Sequence, residues 1–154
     1  RAPLWTQRII MGSFFWEEIR ETPGKYRVVD NGSFTVADFD FDAIDNNTPC
    51  IANATYKTML FAQGNKVRKW YYLNEEAYLS EAPTILEVGS AEGTAIITSF
   101  DISEDHLKTY VAFYEPNQEG KNGSVWVFDT NSGKVLEKYD NVCYQPVKVL
   151  YKKK

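Results

Sequence analysis

The stretch GSVWVFDTNSGKVLEKYDNV, at residues 123–142, constrains the fold of this chain more than any other. At 124–129 and again at 134–139, every second residue is expected to face the same side of a sheet, which is the period-two pattern of β-strands. Between the two runs, DTNS offers short polar side chains that can hydrogen-bond their own backbone, and Gly133 can adopt a positive φ. The stretch therefore predicts a β-hairpin with a tight turn.

Two further strands are predicted directly before this hairpin. Residues 94–101 (TAIITSFD) and 108–115 (KTYVAFYE) read as strands, and the polar turn 103–106 separates them without any helical pattern. Four strands in direct succession predict a four-stranded antiparallel meander over this part of the chain.

The same unit recurs about 50 residues earlier, at the period of a known class of repeat. KTMLFA at 57–62 parallels KTYVAF at 108–113, and ILE at 85–87 parallels VLE at 135–137. IITSF at 96–100 likewise parallels PVKVL at 146–150. Between these matches, KVRKWYYL at 66–73 takes the place of the first strand of the quoted hairpin, after a Gly-Asn turn. A four-stranded unit at this spacing is typical of β-propeller blades.

The repeat predicts an all-β chain, a propeller-like array of about three four-stranded antiparallel blades. Residues 49–93 and 94–142 are two blades, 1–48 a degraded one with strands at 8–16, 25–30 and 33–41, and 143–154 the first strand of a next blade. Because propellers have about four to eight blades, we expect these residues, a single domain or domain fragment, to belong to a larger propeller. The missing blades would come from the same polypeptide or another chain. A β-sandwich is the alternative, since evenly spaced short strands fit both classes.

Within the two clear repeats and beyond them, the pattern predicts individual strands. They are expected at 57–62, 66–73, 84–88, 94–101, 108–115, 124–129, 134–139 and 146–151.

The segments FAQGNKVRKWYYLN, EGTAIITSFDIS, KTYVAFYEPN, GSVWVFDTNSGKVLEKYDNV and VKVLYKKK together resemble the C-terminal propeller of the PKD-like family lipoproteins of Bacteroidetes. The resemblance covers residues 50–154, and its motifs are general to propellers. It implies a lipid-anchored envelope protein, at the outer membrane or extracellular, with PKD-like β-sandwich domains before the propeller and a role in glycan utilisation. No lipobox cysteine occurs in these residues, and the family offers no catalytic motif to carry over.

The charge argues against a nucleic-acid partner, and the hydropathy argues against a membrane-spanning helix. The net charge is −4 and the pI about 5.1, whereas nucleic-acid binding needs a basic face. No apolar run approaches the ~20 residues of a membrane-spanning helix. We therefore expect no nucleic-acid partner and no transmembrane segment in this chain.

The two cysteines and the single histidine are poor candidates for a disulfide framework, a metal site or a catalytic triad. Cys50 and Cys143 are too few for a disulfide framework or a metal cluster, and we expect two buried thiols, with one disulfide between them as the alternative. His106 lies in the 103–106 turn, where a catalytic triad would have to form on an exposed tip. No metal, cofactor or catalytic residue is predicted.

Three further patterns have a structural interpretation and a functional one. Asp38, Asp40 and Asp42 alternate with phenylalanines, which indicates a solvent-facing strand, although Ca²⁺ binding and a glycosidase carboxylate pair stay open. The aromatic residues at 70, 126 and 128 are expected to be buried, with sugar stacking as the alternative. Four N-x-S/T sequons begin at Asn31, Asn46, Asn53 and Asn122.

By analogy with propellers, the loops 89–93, 116–123 and 140–145 are expected to gather at one end of a channel. They carry hydrogen-bonding groups suited to a neutral polar ligand such as a sugar. The predicted ligand-binding residues are Glu92, Asn117, Gln118, Asp140, Asn141, Tyr144 and Gln145.

Two function classes follow from the sequence. The first is a non-catalytic binding or interaction module of an envelope protein, whose partner is a glycan or another envelope protein. The second is a propeller enzyme that acts on carbohydrate with carboxylates as acid and base. The first is favoured because clusters of titratable residues are sparse.

Overall fold

The structure is a computed structural model, and it describes residues 8–11, 14–18, 25–30, 39–40, 48–53, 56–71 and 81–153. Within those ranges, side chains are described from residue 48 onward. This part of the chain forms twelve β-strands and no α-helix, so the prediction of an all-β fold is confirmed. The strands are β1 (Arg8–Met11), β2 (Phe14–Glu18), β3 (Lys25–Asp30), β4 (Phe39–Asp40), β5 (Cys50–Asn53), β6 (Thr58–Gln63), β7 (Lys66–Tyr71), β8 (Thr84–Glu87), β9 (Ile96–Ile102), β10 (Lys108–Tyr114), β11 (Gly123–Asp129) and β12 (Val135–Cys143).

The strands form three four-stranded sheets, and each sheet is built from four consecutive strands. Their orders are β1-β2-β3-β4, β5-β6-β7-β8 and β12-β11-β10-β9. Neighbouring strands are antiparallel throughout the first and third sheets, and β7 is antiparallel to β8. The meander predicted from the quoted hairpin and the two strands before it is thus the third sheet.

The chain divides into two compact units. One comprises residues 1–48, 52–60 and 69–83, and the other comprises 49–51, 61–68 and 84–154. The third sheet and the site described below lie entirely within the second unit.

Most strand limits agree with the sequence pattern, two do not, and one lies largely outside the described residues. The run 8–16, expected as one strand, is a hairpin in which Met11 pairs with Phe14, and the Gly-Ser dipeptide between them is a turn sequence. Strand β12 continues to Cys143, beyond the expected end at 139. Of the strand expected at 33–41, only Phe39–Asp40 lies within the described residues.

The prediction of a strand at 146–151 is wrong. This segment forms no ladder, because it meets side chains of β9 and not a backbone edge. The N–H of Val149 donates to Ser99 Oγ (3.1 Å), and the N–H of Tyr151 donates to the Asp101 carboxylate.

One face of the third sheet supplies most of its buried side chains. The register places Phe100 and Trp126 opposite Val111 on the neighbouring strands, so these side chains share a face. Trp126 is 6% exposed and packs edge-on against Phe113, with ring centroids 5.2 Å apart. Phe128 in this sheet and Trp70 in the other unit are also buried, so the expected burial of the aromatic residues is confirmed.

The turn between β11 and β12 has the chemistry that its sequence predicts. Asp129 Oδ1 accepts hydrogen bonds from the N–H of Asn131 (3.1 Å) and of Ser132 (2.8 Å). Gly133 has a φ of 78°, and a Cβ added there would lie 2.3 Å from the carbonyl oxygen of Ile85. Glycine is therefore required here both by the backbone conformation and by the close approach of β8.

Candidate functional site

Two connections of the second unit meet strands β11 and β12 in one cleft of about 320 Å³. The β8–β9 connection contributes Gly89 and Ser90, and the end of β10 with its following loop contributes Phe113, Glu115 and Gln118. Strands β11 and β12 contribute Ser124, Trp126, Lys138, Asp140 and Asn141. The structure thus brings together the three regions that were expected to gather at one end.

Glu115 ties the β8–β9 connection to the end of β10. Its Oε1 accepts from the N–H of Ser90 (2.8 Å), and its Oε2 accepts from the hydroxyl of Thr94 (2.9 Å). Gly89, at a φ of 85°, allows this approach, because a Cβ there would lie 2.4 Å from Glu115 Oε1. The carboxylate is therefore held in a fixed position at the wall of the cleft.

A β-bulge in β12 shapes the opposite wall. Tyr139 pairs with Val125 and Cys143 with Gly123, so β12 has two more residues than β11 over this interval. Asn141 takes up the excess with a φ of 54°. A bulge of this kind redirects side chains at the end of a sheet, and here it places Asp140 and Asn141 at the cleft.

Hydrogen bonds across the cleft fix these side chains. The N–H of Asn141 donates to Ser124 Oγ (3.1 Å), and its side-chain Oδ1 accepts from Gln118 Nε2 (3.0 Å). Asp140 Oδ1 accepts from the indole Nε1 of Trp126 (2.8 Å). Polar groups from both walls are thus positioned before any ligand arrives.

Lys138 covers one face of the Trp126 ring, with its ammonium nitrogen 4.1 Å from the ring centroid. One of the two ring faces is therefore already occupied by a cation. The sugar-stacking interpretation of Trp126 would require Lys138 to move aside, whereas polar contacts at the cleft would not.

Asn122 organises the loop between β10 and β11. It is 2% exposed, its Nδ2 donates to the carbonyl of Glu115 (3.1 Å), and its Oδ1 accepts from the N–H of Gln145 (3.0 Å). An amide this buried is not accessible for glycan attachment in the folded chain, so this sequon has a structural role.

The predicted site residues divide into two groups. Gln118, Asp140 and Asn141 line the cleft, whereas Glu92, Asn117, Tyr144 and Gln145 do not. Tyr144 is 67% exposed, and Gln145 contributes its backbone N–H to Asn122. Whether any of these residues binds a ligand stays a prediction.

The sequence reasoning missed Ser124 and Lys138, which lie on strands, and Glu115, which directly follows β10. A signal for Glu115 was present, because it is the last residue of the predicted strand 108–115, where side chains reach the loop end of a sheet. Lys138 is placed at the cleft by its pairing with Trp126 across β11 and β12, which the sequence pattern does not show.

The other candidate residues do not join this cleft. His106 is half-buried in its turn at a φ of 62°, with its N–H bonded to the carbonyl of Ser103 (2.9 Å). Cys50 and Cys143 are half-buried free thiols and form no disulfide, and burial raises the pKa of Cys50 to about 11. Asp38 and Asp42 lie outside the described residues, and only the backbone of Asp40 is described.

Two features are absent from the described residues. These residues contain no group of three or more potential metal ligands. They also contain no helix long and apolar enough to cross a bilayer.

No protein-family model matches the sequence, and no curated protein matches it. Among solved structures, the chain is similar to Kuenenia stuttgartiensis hydrazine synthase, at 14% identity and a TM-score of 0.58, over 95% of this chain and 38% of that one. It is also similar to the computationally designed Ika8 protein, at 14% identity and a TM-score of 0.52, over 97% of this chain and 40% of that one. The chain spans about two fifths of the length of these structures, and at such low identity the likeness concerns the fold alone.

Proposed function

We propose that this chain is a non-catalytic binding module of β-propeller architecture, whose cleft binds a neutral polyhydroxylated ligand such as a sugar. One observation carries the proposal. Side chains from both walls of the cleft, Glu115, Gln118, Asp140 and Asn141, are held by hydrogen bonds within the protein and present acceptors and donors towards the same space.

The order of the strands supports the propeller. Each sheet consists of four consecutive strands, whereas the Greek-key connections common in sandwiches exchange strands between two sheets. The contacts of Val149 with Ser99 and of Tyr151 with Asp101 each join residues 50 positions apart, which is the spacing of the sequence repeat. The segment 146–151 thus lies beside its own equivalent in the preceding repeat, as the innermost strands of successive blades do.

The hydrogen bonding supports binding over catalysis. Both carboxylate oxygens of Glu115 and one of Asp140 already accept hydrogen bonds from the protein. A general acid or base must exchange its proton with the substrate, and donors that hold the carboxylate in place favour a fixed acceptor. The cleft lining, as described, includes no histidine or cysteine.

An enzyme acting on carbohydrate is the second candidate, and one observation favours it. Glu115 and Asp140 line the same cleft, and a pair of carboxylates is what most glycoside hydrolases use. The envelope location, the lipid anchor and the choice between a glycan and another envelope protein as partner rest on the sequence resemblance alone.

A glycan array probed with the full chain tests the proposal. For a glycan that binds, Gln118→Ala and Asn141→Gly should each weaken binding about threefold to tenfold, because each removes one or two hydrogen bonds. Glycine at 141 keeps the positive φ of the bulge. Asn117→Ala, outside the cleft, is the matched control and should leave affinity unchanged.

Two results would overturn the assignment. Unchanged affinity in both cleft variants would place the site elsewhere. Release of reducing ends from a bound glycan, abolished by Asp140→Asn, would show an enzyme, since asparagine can still accept the bond from Trp126 but cannot act as an acid or base.

A further inference from the structure

Lys138 and Asp140 are both held on the indole of Trp126. Lys138 pairs with Trp126 across β11 and β12, and its ammonium nitrogen lies 4.1 Å from the ring centroid. Asp140, two residues further along β12, accepts from the indole Nε1 at 2.8 Å. Each contact polarises the indole in the direction that strengthens the other. One buried ring therefore fixes a cation and an anion at this wall of the cleft.

The two charges do not neutralise each other directly. In the part of the chain that the structure describes, no ion pair joins Lys138 to Asp140 or to any other carboxylate. Among the same residues, only Oδ1 of Asp140 has a hydrogen-bond donor, and both side chains are exposed. The ammonium hydrogens and Oδ2 of Asp140 are therefore available to a ligand in the cleft.

A ligand that contacts both groups has to accept a hydrogen bond from one and donate a hydrogen bond to the other. An ammonium only donates and a carboxylate only accepts, whereas a hydroxyl does both. A carboxylate on the ligand would be repelled by Asp140, and an ammonium on the ligand would be repelled by Lys138. The two residues together therefore favour a neutral ligand that carries hydroxyls.

The spacing of the two residues suits a pair of hydroxyls on neighbouring carbon atoms. Residues i and i+2 of a strand lie on the same face with their Cα atoms about 7 Å apart, and the shared contact with Trp126 shows that Lys138 and Asp140 do so. Two hydrogen bonds of about 2.8 Å each, with two adjacent hydroxyl oxygens between them, cover such a distance.

We propose that Lys138 and Asp140 select a vicinal diol of the ligand, with the ammonium donating to one hydroxyl and the carboxylate accepting from its neighbour. The inference rests on the proposed function, because it names the chemical group that the cleft recognises in a sugar. The ring face beneath Lys138 stays covered, so the ligand is bound by the edge that carries the diol and does not stack on that face.

Isothermal titration calorimetry with the full chain tests the diol. The probes are the methyl glycosides of glucose, galactose and mannose, each of which has vicinal hydroxyls, and at least one is expected to bind. Among its monodeoxy derivatives, the two that lack one hydroxyl of the diol should bind about tenfold more weakly, because a charged group then loses its partner. Tighter binding of methyl glucuronoside than of methyl glucoside would overturn the proposal, since Lys138 would then recognise an acid.

Substitutions at the two residues locate the diol. Lys138→Met keeps an unbranched side chain over the indole without the charge, and Asp140→Asn keeps an acceptor for Trp126. Each should weaken binding of the parent glycoside about tenfold. In each variant, one of the two deoxy derivatives should bind no more weakly than the parent, because its missing hydroxyl had contacted the substituted residue.

Lys134→Met, in the turn of the same hairpin, is the matched control and should retain the affinity of wild type. Melting temperatures of all three variants should match wild type, since the substituted side chains are exposed.

The outcomes separate this inference from the function on which it rests. If a glycoside binds and Gln118→Ala weakens it, while neither Lys138→Met nor Asp140→Asn does, the cleft is a sugar site without this selection and only the inference is overturned. If none of the three glycosides binds, the inference is also overturned. The proposed function fails with it only when the glycan array shows no binding either.

Discussion

Strand β9 and the segment 146–151, fifty residues later, carry the same apolar pattern but have different structures. Strand β9 pairs with β10, and its Ile97 and Phe100 are buried. The later segment has Val147 and Leu150 at the same repeat positions, forms no ladder and leaves both exposed. The difference shows that an apolar alternation specifies a possible strand, whereas a partner with a free backbone edge decides whether the strand forms.

The partner of β9 is supplied locally. The turn 103–107 returns the chain to β10, where Tyr110 pairs with Asp101 and Val111 with Phe100. The later segment has no such hairpin in the described residues, and the side chains of Ser99 and Asp101 hold it. Any change that opens the third sheet should therefore affect stability far more than a change in the segment.

The largest effect is expected from Trp126→Ala. The indole is buried against Phe113 and bonded to Asp140, so its removal leaves a cavity and should lower the free energy of unfolding by about 3–5 kcal/mol. Chemical denaturation measures this. Leu136→Ala, on the same sheet but 45% exposed, is the control and should change stability by less than about 0.5 kcal/mol.

A Trp126→Ala variant as stable as wild type that no longer binds a glycan would reverse the interpretation of this residue. The indole would then be a binding platform from which Lys138 is displaced.

The comparison of β9 with the segment 146–151 is tested by truncating Phe100 and Leu150, which occupy equivalent positions in the repeat. Phe100→Ala should cost about 3–5 kcal/mol of unfolding free energy, because the side chain is buried within the sheet. Leu150→Ala should cost less than about 0.5 kcal/mol, because the side chain is mostly in solvent already. Equal losses in the two denaturation curves would show that the segment is covered in solution, contrary to the structure.

Local chemistry explains why much of the fold was predictable. The DTNSG turn and the alternation around it determine the β11–β12 hairpin without help from distant residues, and β9 and β10 follow the same rule. The strand at 146–151 failed because its formation depends on a partner that the pattern does not contain. Sequence alternation also could not show that the run 8–16 reverses direction between Met11 and Phe14.

The cleft was only partly predictable, and for a different reason. Loop residues such as Gln118 could be chosen because polar loops at one end of a sheet gather together. Glu115 directly follows β10, and its place at the cleft depends on Gly89, whereas Lys138 is placed by its pairing with Trp126 across β11 and β12. Both features depend on contacts between residues more than ten positions apart, which no local pattern reveals.

The smallest predicted effect is on the pKa of Asp105, in the turn 103–107 that joins β9 to β10. Asp105 Oδ1 accepts from the hydroxyl of Ser103 (2.6 Å) and from the N–H of Leu107 (3.0 Å). The Ser103 hydrogen bond first, and the Leu107 bond second, hold the pKa of the Asp105 carboxyl below its usual value. Because the folded-state pKa is depressed, the stabilisation is present above the unfolded-state pKa and is lost as the pH falls through the folded-state value.

An NMR titration of the Asp105 carboxyl tests this explanation. In Ser103→Ala the pKa should rise towards the usual value but remain somewhat below it, since the bond from Leu107 survives. Ser103→Thr keeps a hydroxyl at the same position and should retain the low pKa. The hydroxyl of Ser103 also accepts from the N–H of Lys108 at 3.1 Å, so the alanine variant should loosen the first residue of β10 as well. An unchanged pKa in Ser103→Ala would contradict this explanation, because it would show that the Ser103 hydroxyl does not lower the pKa of Asp105 and that the backbone alone holds the carboxylate.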